Sequence, residues 1–304
     1  SLVGSEMCIR DRSRRSLFSI MFTHQPVMIN ETIKNLVHDP AGTYLDCTFG
    51  LGGHSKKILE NLNDDGRLIA IDRDKETVSY SQKIKDKRFH FKNLNFSKIE
   101  SLDTRLDGIF FDLGNSSMQL DDPERGFSFQ KDGPLDMRMN KEEEITAEQW
   151  INTATEKEIS DVLFHLGEER KSRFYARKIV ESRKKTKFKS TAQLSLFIQK
   201  YSSSQKRHPA TNVFRAIRMH INNEIEEMIN GFKSAACLLK QNGKLIIISF
   251  HSIEDRIAKN FLRSEEAKNL NLKKQGKPIK PTINEIKSNP RSRSAIMRIA
   301  IKNV

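Results

Sequence analysis

DCTFGLGGH (residues 46–54) begins within a short apolar segment, TYLDCT (43–48), and leads into a segment with helical periodicity. A glycine-rich turn of this kind lets the backbone approach a ligand closely, and the helix that follows offers free N–H groups. A second apolar segment, RLIAID (67–72), ends in Asp72, and a carboxylate at this position can accept hydrogen bonds from a ribose diol. The turn and the acid together predict a cofactor site at the carboxyl ends of parallel strands.

Outward from this turn, predicted strands alternate with predicted helices. Helices are expected at 27–37, 54–62 and 75–84. Strands are expected at 43–48, 67–72, 88–92, 108–113, 244–250 and 295–301. Alternation at this spacing predicts an α/β fold whose parallel sheet is covered by helices on both faces.

The alternation stops after the fourth strand, where residues 145–200 show helical periods only. We therefore expect an inserted helical domain at 126–212, interrupting a sheet domain made of 22–125 and 213–304. Residues 1–21 have no clear period and are expected to be a non-native or disordered extension.

One long helix is expected after the insertion. Thr211 or Asn212 is the predicted N-cap, and the helix is expected to run to about Lys240, with Gly243 closing it.

Basic residues are concentrated in one segment of the chain. The 304 residues have a net charge of +14, and Arg170–Arg218 alone holds 15 Lys and Arg against one acid, Glu181. Pairing along a helix cannot neutralise so one-sided a segment, and Lys and Arg on phosphates release counterions. The segment predicts nucleic-acid binding; a solvated helical surface is the alternative.

The composition also excludes several classes of protein. Three widely spaced cysteines, at positions 8, 47 and 237, argue against a disulfide scaffold and a zinc site, so no metal is expected. No apolar run approaches the ~18–20 residues that span a bilayer, which excludes an integral membrane protein. A reduced, cytoplasmic compartment is the expected location.

The glycine turn favours one cofactor over another. A dinucleotide fingerprint needs G-x-G-x-x-G, and its third glycine falls on Ser55 here. S-adenosylmethionine carries no phosphate, and Asp46 before the glycines suits its ammonium and sulfonium charges. S-adenosylmethionine is therefore preferred, while NAD(P) and a turn with only a structural role stay open.

Eight runs carry a resemblance to a known family and span nearly everything from Phe22 to the end. They are HQPVMINET (24–32), YLDCTFGLGGHS (44–55), IAIDRD (69–74), DGIFFDLGNSSMQLDDPERGFSFQKDGPLDMRM (107–139), GEER (167–170), RHPATNVFRAIRMHINNE (207–224), ISFHSIEDR (248–256) and NPRSRSAIMRIA (289–300). The chain resembles the bacterial 16S ribosomal RNA (cytosine-N4) methyltransferases of the RsmH (MraW) family.

The resemblance implies a fold and an activity. The fold is a class I, Rossmann-like methyltransferase sheet with an inserted all-helical RNA-binding domain. The activity is transfer of a methyl group from S-adenosylmethionine to the exocyclic N4 of a specific cytosine in 16S ribosomal RNA, within the small ribosomal subunit. A DNA amine methyltransferase and a non-catalytic RNA-binding assembly factor are the alternatives.

The resemblance also implies site residues. The cofactor-binding positions are Gly52, Gly53, His54, Asp72, Phe96, Asp112 and Gln119. The candidate RNA contacts come from the residues themselves: from the basic segment and from the loop after the fourth strand. They are Asn115, Arg170, Arg173, Arg177, Arg207, Arg215 and Arg218. No catalytic residue is assigned.

The chain departs from the family pattern in the loop after the fourth strand. Asn115 and Met118 stand where DLGVSSPQL has Val and Pro. Asn115 is either an acceptor for the amine hydrogens of the target base or a turn former. Phe127 and Phe129 are expected to stack on a base or to pack in the core. His251 is expected to contact RNA or to cap the backbone near Glu254.

Overall fold

The computed structural model describes residues 25–202 and 208–303. The predicted extension, 1–21, and the candidate contact Arg207 lie outside these ranges. Among the described residues, no helix is both long enough and apolar enough to cross a membrane.

The described residues form one seven-stranded mixed sheet with the strand order β3-β2-β1-β4-β5-β7-β6. The strands are β1 Thr43–Asp46, β2 Arg67–Asp72, β3 Phe89–Asn93, β4 Leu106–Asp112, β5 Leu239–Ser249, β6 Leu272–Ile279 and β7 Ile296–Lys302. Strands β1 to β5 are parallel to one another, whereas β7 is antiparallel to both β5 and β6. The α/β prediction is confirmed, but the last strand is antiparallel rather than parallel.

Helices cover both faces of the sheet and form the insertion. They are α1 Ile29–Leu36, α2 Gly53–Leu59, α3 Val78–Ser81, α4 Ser117–Asp121, α5 Ala147–Thr153, α6 Glu156–His165, α7 Ser172–Arg183, α8 Thr191–Lys200, α9 Ala210–Ile221, α10 Glu224–Leu238, α11 Ser252–Phe261, α12 Glu265–Asn269 and α13 Ile283–Ser288. The central parts of β4 (109–111) and β5 (245–248) are continuous apolar runs because both of their faces are buried.

The insertion has a hydrophobic cluster of its own. Trp150, Leu163 and Tyr175 pack there with Val213 and Phe214 of α9. Helix α9 therefore belongs to the core of the insertion. The predicted boundary at 212 falls inside this helix, which begins at Ala210 and continues to Ile221.

The predicted long helix to Lys240 is wrong. Helix α9 ends at Ile221 and α10 begins at Glu224, after Asn223 with φ of 48°. The Asn222 side chain explains the break, because its Nδ2 donates to the Met137 carbonyl at 2.7 Å and its Oδ1 accepts from the Met139 N–H at 2.7 Å. These contacts with a distant segment end the helix at a point where the sequence pattern predicted that it would continue.

Two further differences lie in the last third of the chain. Gly243 does not close a helix, since it lies within β5, which begins at Leu239. Strand β6 was not predicted. Its residues are mostly exposed and lysine-rich, so they show no apolar alternation.

A buried ion pair fastens the segment after β4 to the end of β2. The Arg125 side chain is 1% exposed, and its Nη1 lies 2.8 Å from Asp74 Oδ2 and 3.1 Å from Glu76 Oε2. Its Nη2 donates to the carbonyls of Arg138 and Met139. One side chain thus holds the entry to the insertion against the sheet.

Replacing Arg125 by Met is expected to lower the free energy of unfolding by about 3–5 kcal/mol, because the buried Asp74 carboxylate loses its cation. Urea unfolding measures the change from the midpoint and slope. Lys57→Met is the control: its ion pair with Glu60 is exposed on both sides, so it is expected to cost less than about 1 kcal/mol. An R125M protein as stable as the K57M protein would contradict this role.

Candidate functional site

A cavity of about 370 Å³ opens at the carboxyl ends of the central parallel strands. Its walls are the glycine turn after β1, the end of β2, the loop after β4 and the exit of β5. The sequence predicted this edge of the sheet, and the position follows from the parallel order β2-β1-β4-β5.

The glycine turn needs its glycines for backbone reasons. Gly50 and Gly52 have φ of 53° and 78°, in the left-handed region. A Cβ on Gly53 would lie 2.4 Å from Pro26 Cγ. Gly53 and His54 line the cavity, whereas Gly52 supports it as the N-cap of α2.

Three parallel strands each end in an aspartate, and burial raises the pKa of all three. The pKa of Asp46 is raised to about 6, although Ser55 Oγ donates to Asp46 Oδ2 at 2.7 Å. The pKa of Asp72 is also raised to about 6, although the N–H groups of Gly50 and Asp74 donate to it. Ser55 therefore stabilises the buried Asp46 carboxylate, at the position where the dinucleotide fingerprint has glycine.

Asp112 is the least compensated of these acids. Burial raises its pKa well above the usual value, and the charges of Asp46 and Glu254 raise it further. Its Oδ1 is buried without a hydrogen-bond partner among the described residues, and its Oδ2 lies 3.6 Å from His54 Nδ1. His54 Nε2 donates to the Val27 carbonyl at 3.0 Å, which fixes the ring beside Asp112. The site therefore favours a cationic ligand.

The loop after β4 is anchored at both ends. The Leu113 N–H donates to the Ile248 carbonyl at 2.9 Å, and Ser116 forms a capping box with Gln119 at the start of α4. Gln119 Nε2 donates to Asp74 Oδ2 at 2.9 Å, so Gln119 lines the cavity while bonded to the end of β2. These hydrogen bonds hold the loop between β5 on one side and Asp74 on the other.

The opposite wall is a buried polar network. His251 caps α11, because its Nδ1 accepts from the Glu254 N–H at 3.3 Å, and its Nε2 lies 2.9 Å from Glu254 Oε1. Burial alone would raise the pKa of Glu254, but the hydrogen bond and charge of His251 and the Arg218 charge lower it overall. The capping role expected for His251 is confirmed.

Arg218 is buried in the same network and forms two 2.8 Å hydrogen bonds to the Glu224 carboxylate. Arg218 is therefore not part of the exposed basic surface, and a contact with RNA could be made only inside the cavity. It lines the cavity and forms ion pairs with two buried glutamates, Glu224 and Glu254.

The other predicted residues divide between the cavity and the insertion. Phe96 lines the cavity and packs edge-on against Phe111, at 5.6 Å between ring centroids. Phe127 is buried, and Phe129 stacks on His208 at 4.5 Å.

The other candidate arginines that the structure describes do not line the cavity. Arg170, Arg173 and Arg177 are exposed at or near α7, while Arg215 Nη2 donates to the Gly167 carbonyl at 2.6 Å.

Several cavity residues were not singled out from the sequence. Thr48 Oγ1 accepts from the Asp112 N–H at 2.8 Å and links the two strand ends. Met139 and Arg291 also line the cavity, from segments distant in sequence. The resemblance signalled both segments, DMRM and NPRSRS, without indicating their place. Among the described residues, no group of three or more His, Cys, Asp or Glu could hold a metal ion.

Comparisons with known proteins agree on one family. The sequence model of the MraW methylase family matches residues 21–303. The chain is 44% identical to ribosomal RNA small subunit methyltransferase H of Idiomarina loihiensis, over 91% of this chain and 96% of that protein. It is 42% identical to the protein of the same name from Hydrogenovibrio crunogenus, over 91% and 96%. A putative rRNA methylase structure from Clostridium thermocellum aligns with a TM-score of 0.46 and 11% identity, over 90% and 94%.

Asp112→Asn is expected to stabilise the protein at high pH. The folded protein holds a proton on Asp112 at pH values where the unfolded chain has released it, so stability falls as pH rises through that range. Asparagine removes this loss. The variant should melt about 2 °C or more above the parent at pH 8, with a smaller difference at pH 5, given about 2–4 °C per kcal/mol.

Asp86→Asn is the matched control for this melting experiment. Hydrogen bonds from Arg88 lower the pKa of Asp86 to about 2, so Asp86 is ionised at both pH values. D86N should melt below the parent by similar amounts at pH 5 and pH 8. A D112N protein that behaves like D86N would show that Asp112 is not a buried, uncompensated acid.

Proposed function

Because the chain belongs to the MraW methylase family, we propose that it transfers a methyl group from S-adenosylmethionine to the exocyclic N4 of a specific cytosine in 16S ribosomal RNA. The relatives that cover most of its length are named ribosomal RNA small subunit methyltransferases. The observation that carries the proposal is the cavity at the strand ends, with Asp72 on one side and the unpartnered Asp112 Oδ1 on another.

The residues of the cavity fit S-adenosylmethionine. Its ammonium and sulfonium charges suit a site where burial has raised the pKa of Asp46, Asp72 and Asp112. Asp72 is placed to accept hydrogen bonds from a ribose, as the acid at the end of β2. When bound, this cofactor supplies an electrophilic methyl group.

The remaining cofactor positions have separate tasks. Gly52, Gly53 and His54 shape the turn against which the cofactor lies, and Phe96 supplies an apolar face to the same cavity. Gln119 holds the loop after β4 through Asp74. We assign Asp112 to the cationic part of the cofactor, because no described group satisfies its Oδ1.

The chemistry at the target amine is mainly positioning. The N4 lone pair is delocalised into the cytosine ring, so the amine must be oriented in line with the methyl group. A target base in a loop of folded RNA reaches the cavity at a cost of a few kcal/mol for extrusion. Arg170, Arg173 and Arg177 are exposed, and we propose that they bind phosphates of the RNA that carries the target base.

The substrate is proposed to be the assembled small subunit or its RNA, in the cytoplasm. The alternatives are less favoured, because the relatives are named for small-subunit ribosomal RNA rather than DNA. The turn after β4 also lacks the Pro-Pro-aromatic sequence of many DNA amine methyltransferases, since it reads Asp112-Leu113-Gly114-Asn115.

Labelled methyl transfer tests the proposal. Undermethylated small subunits, free 16S RNA and DNA are offered with labelled S-adenosylmethionine, and the nucleoside product is identified after digestion. We expect N4-methylated cytidine from the ribosomal substrates only. Asp72→Asn should weaken cofactor binding about 10-fold or more, since a hydrogen bond to a charged group is lost.

Glu60→Gln, an exposed change at the end of α2, is the control and should leave cofactor binding unchanged. Label in DNA alone would favour the DNA amine methyltransferase. Absence of both cofactor binding and label would favour a non-catalytic RNA-binding factor.

A further inference from the structure

The loop after β4 carries an oxygen atom without a protein partner. Asn115 Oδ1 is buried and accepts no hydrogen bond from the described residues. A buried carbonyl oxygen in this state costs about 1–3 kcal/mol. Such a cost at a cavity wall indicates that a ligand supplies the missing donor.

The backbone holds Asn115 between two close contacts. On one side, Gly114 has φ of 111°, and a Cβ there would lie 3.2 Å from the Phe250 ring. On the other side, Ser116 lies opposite the glycine turn, where a Cβ on Gly50 would be 3.8 Å from Ser116 Cβ. The backbone on either side of Asn115 therefore lies near the turn after β1 and the exit of β5, and Asn115 lines the cavity between them.

Two unpartnered oxygens line the same cavity and suit different donors. Asp112 Oδ1 ends β4 and suits a cation, since the carboxylate can be ionised. Asn115 Oδ1 is neutral at every pH and suits an uncharged N–H group. The exocyclic amine of cytosine offers two such hydrogens, whereas uracil has an acceptor oxygen at the same ring position.

We propose that Asn115 Oδ1 accepts a hydrogen bond from the target amine and selects cytosine over uracil. This inference rests on the proposed function. The hydrogen bond orients the amine and leaves its lone pair to form the nitrogen–methyl bond as the methyl–sulfur bond breaks. S-adenosylhomocysteine would be the leaving group, and the second amine hydrogen would pass to solvent as a proton. Uracil would set its O4 against Asn115 Oδ1, and two acceptors repel each other.

Asn115→Ala tests the proposal with two independent measurements. The first is methyl transfer at saturating cofactor, where kcat is expected to fall about 10-fold, the value of one neutral hydrogen bond. Cofactor Kd should stay within about twofold, because Asp72 and Asp112 are intact. Asn115→Asp keeps an oxygen at the same position, whether ionised or not, and should retain most of the turnover.

The second measurement needs no turnover. With S-adenosylhomocysteine bound, the parent should bind an RNA loop with cytidine at the target position more tightly than the same loop with uridine. N115A should lose most of this preference. Met118→Ala is the matched control, since Met118 lies in the same loop but faces a separate surface with Tyr80 and Asp122; it should keep both turnover and preference.

The outcomes separate the two proposals. A parent that makes no N4-methylcytidine contradicts the proposed function, while the cytidine preference still reports on Asn115. An N115A protein with kcat within twofold of the parent, or with the parent's cytidine preference, overturns the role of Asn115. So does an N115D protein as slow as N115A.

A second basic surface lies in the last part of the chain, outside the segment Arg170–Arg218. The segment 272–294 has seven Lys and Arg against one acid, Glu285. Glu285 Oε1 accepts from the Met28 N–H at 2.6 Å, so it faces the start of α1. Lys273, Lys277 and Lys280 are exposed, and none of them forms an ion pair with a carboxylate of the described residues.

This surface leads to the mouth of the cavity. Ile279 at the end of β6 pairs with Met297, and Ile296 pairs with Ser249, the last residue of β5 beside the cavity. The segment then continues to Arg291, which lines the cavity and lies 3.1 Å from Asp121 in an exposed ion pair. Exposed pairs contribute little, so a phosphate can replace Asp121.

Protection of an edge strand does not account for the whole surface. Lysines on β6 do prevent pairing with another chain. The basic residues nevertheless continue past the strand, through Lys280 and Lys287 to Arg293, where no edge is exposed. We infer that this surface binds RNA phosphates on the side of the cavity lined by Arg291 and Ser294.

Salt titrations of RNA binding test this second surface. The triple variant K273Q/K277Q/K280Q should bind a 16S RNA fragment about 10-fold or more weakly at 0.1 M salt. Its log–log salt slope should fall by about 2, at roughly 0.7–0.9 per phosphate contact. R170Q/R173Q/R177Q should give a fall of similar size if both surfaces hold RNA.

The control variant K57Q/K87Q/K157Q removes three exposed lysines that lie outside both basic surfaces. Each of these lysines forms an ion pair with a carboxylate. It should change the slope by less than 1. A β6 variant that matches this control overturns the second surface. Because the readout is binding rather than methylation, the result stands apart from the nature of the product.

Discussion

The buried ion pair between Arg125 and Asp74 is the contact on which the site depends. Asp74 lies two residues beyond the end of β2 and receives both the Arg125 guanidinium and the Gln119 amide. The cation also holds the carbonyls of Arg138 and Met139, at the entry to the insertion. The Arg125–Asp74 pair thus fixes the positions of the sheet, the loop after β4 and the insertion relative to one another. It can do so because a buried carboxylate is stable only while its cation stays in place.

The parallel sheet imposes a second constraint on the same edge. Parallel strands bring their carboxyl ends together, so Asp46, Asp72 and Asp112 are forced into one small region. The protein compensates two of them with backbone N–H groups and the Ser55 hydroxyl, and leaves Asp112 largely uncompensated. A cofactor with two positive charges resolves this conflict, which links the topology of the sheet to the choice of ligand.

The sequence predicted these features where the signal was local. The glycine turn, the acid ending β2 and the strand RLIAID all follow from neighbouring residues, and β2 occupies Arg67–Asp72 as predicted. The Asn222 break and the burial of Arg218 could not be predicted in this way. Each depends on partners far away in sequence, such as the Met137 and Met139 backbone for Asn222.

The sequence by itself determined the α/β class, the cofactor edge and the family, because periodicity, turn glycines and long specific runs are written along the chain. The tertiary structure alone decided which charges are exposed and which are internal. Arg218 and Arg170 look alike in a basic segment, yet one is paired with Glu224 and the other is exposed. The physical reason is that burial and pairing are properties of contacts between distant segments, and a charge is available to a phosphate only when the fold leaves it exposed.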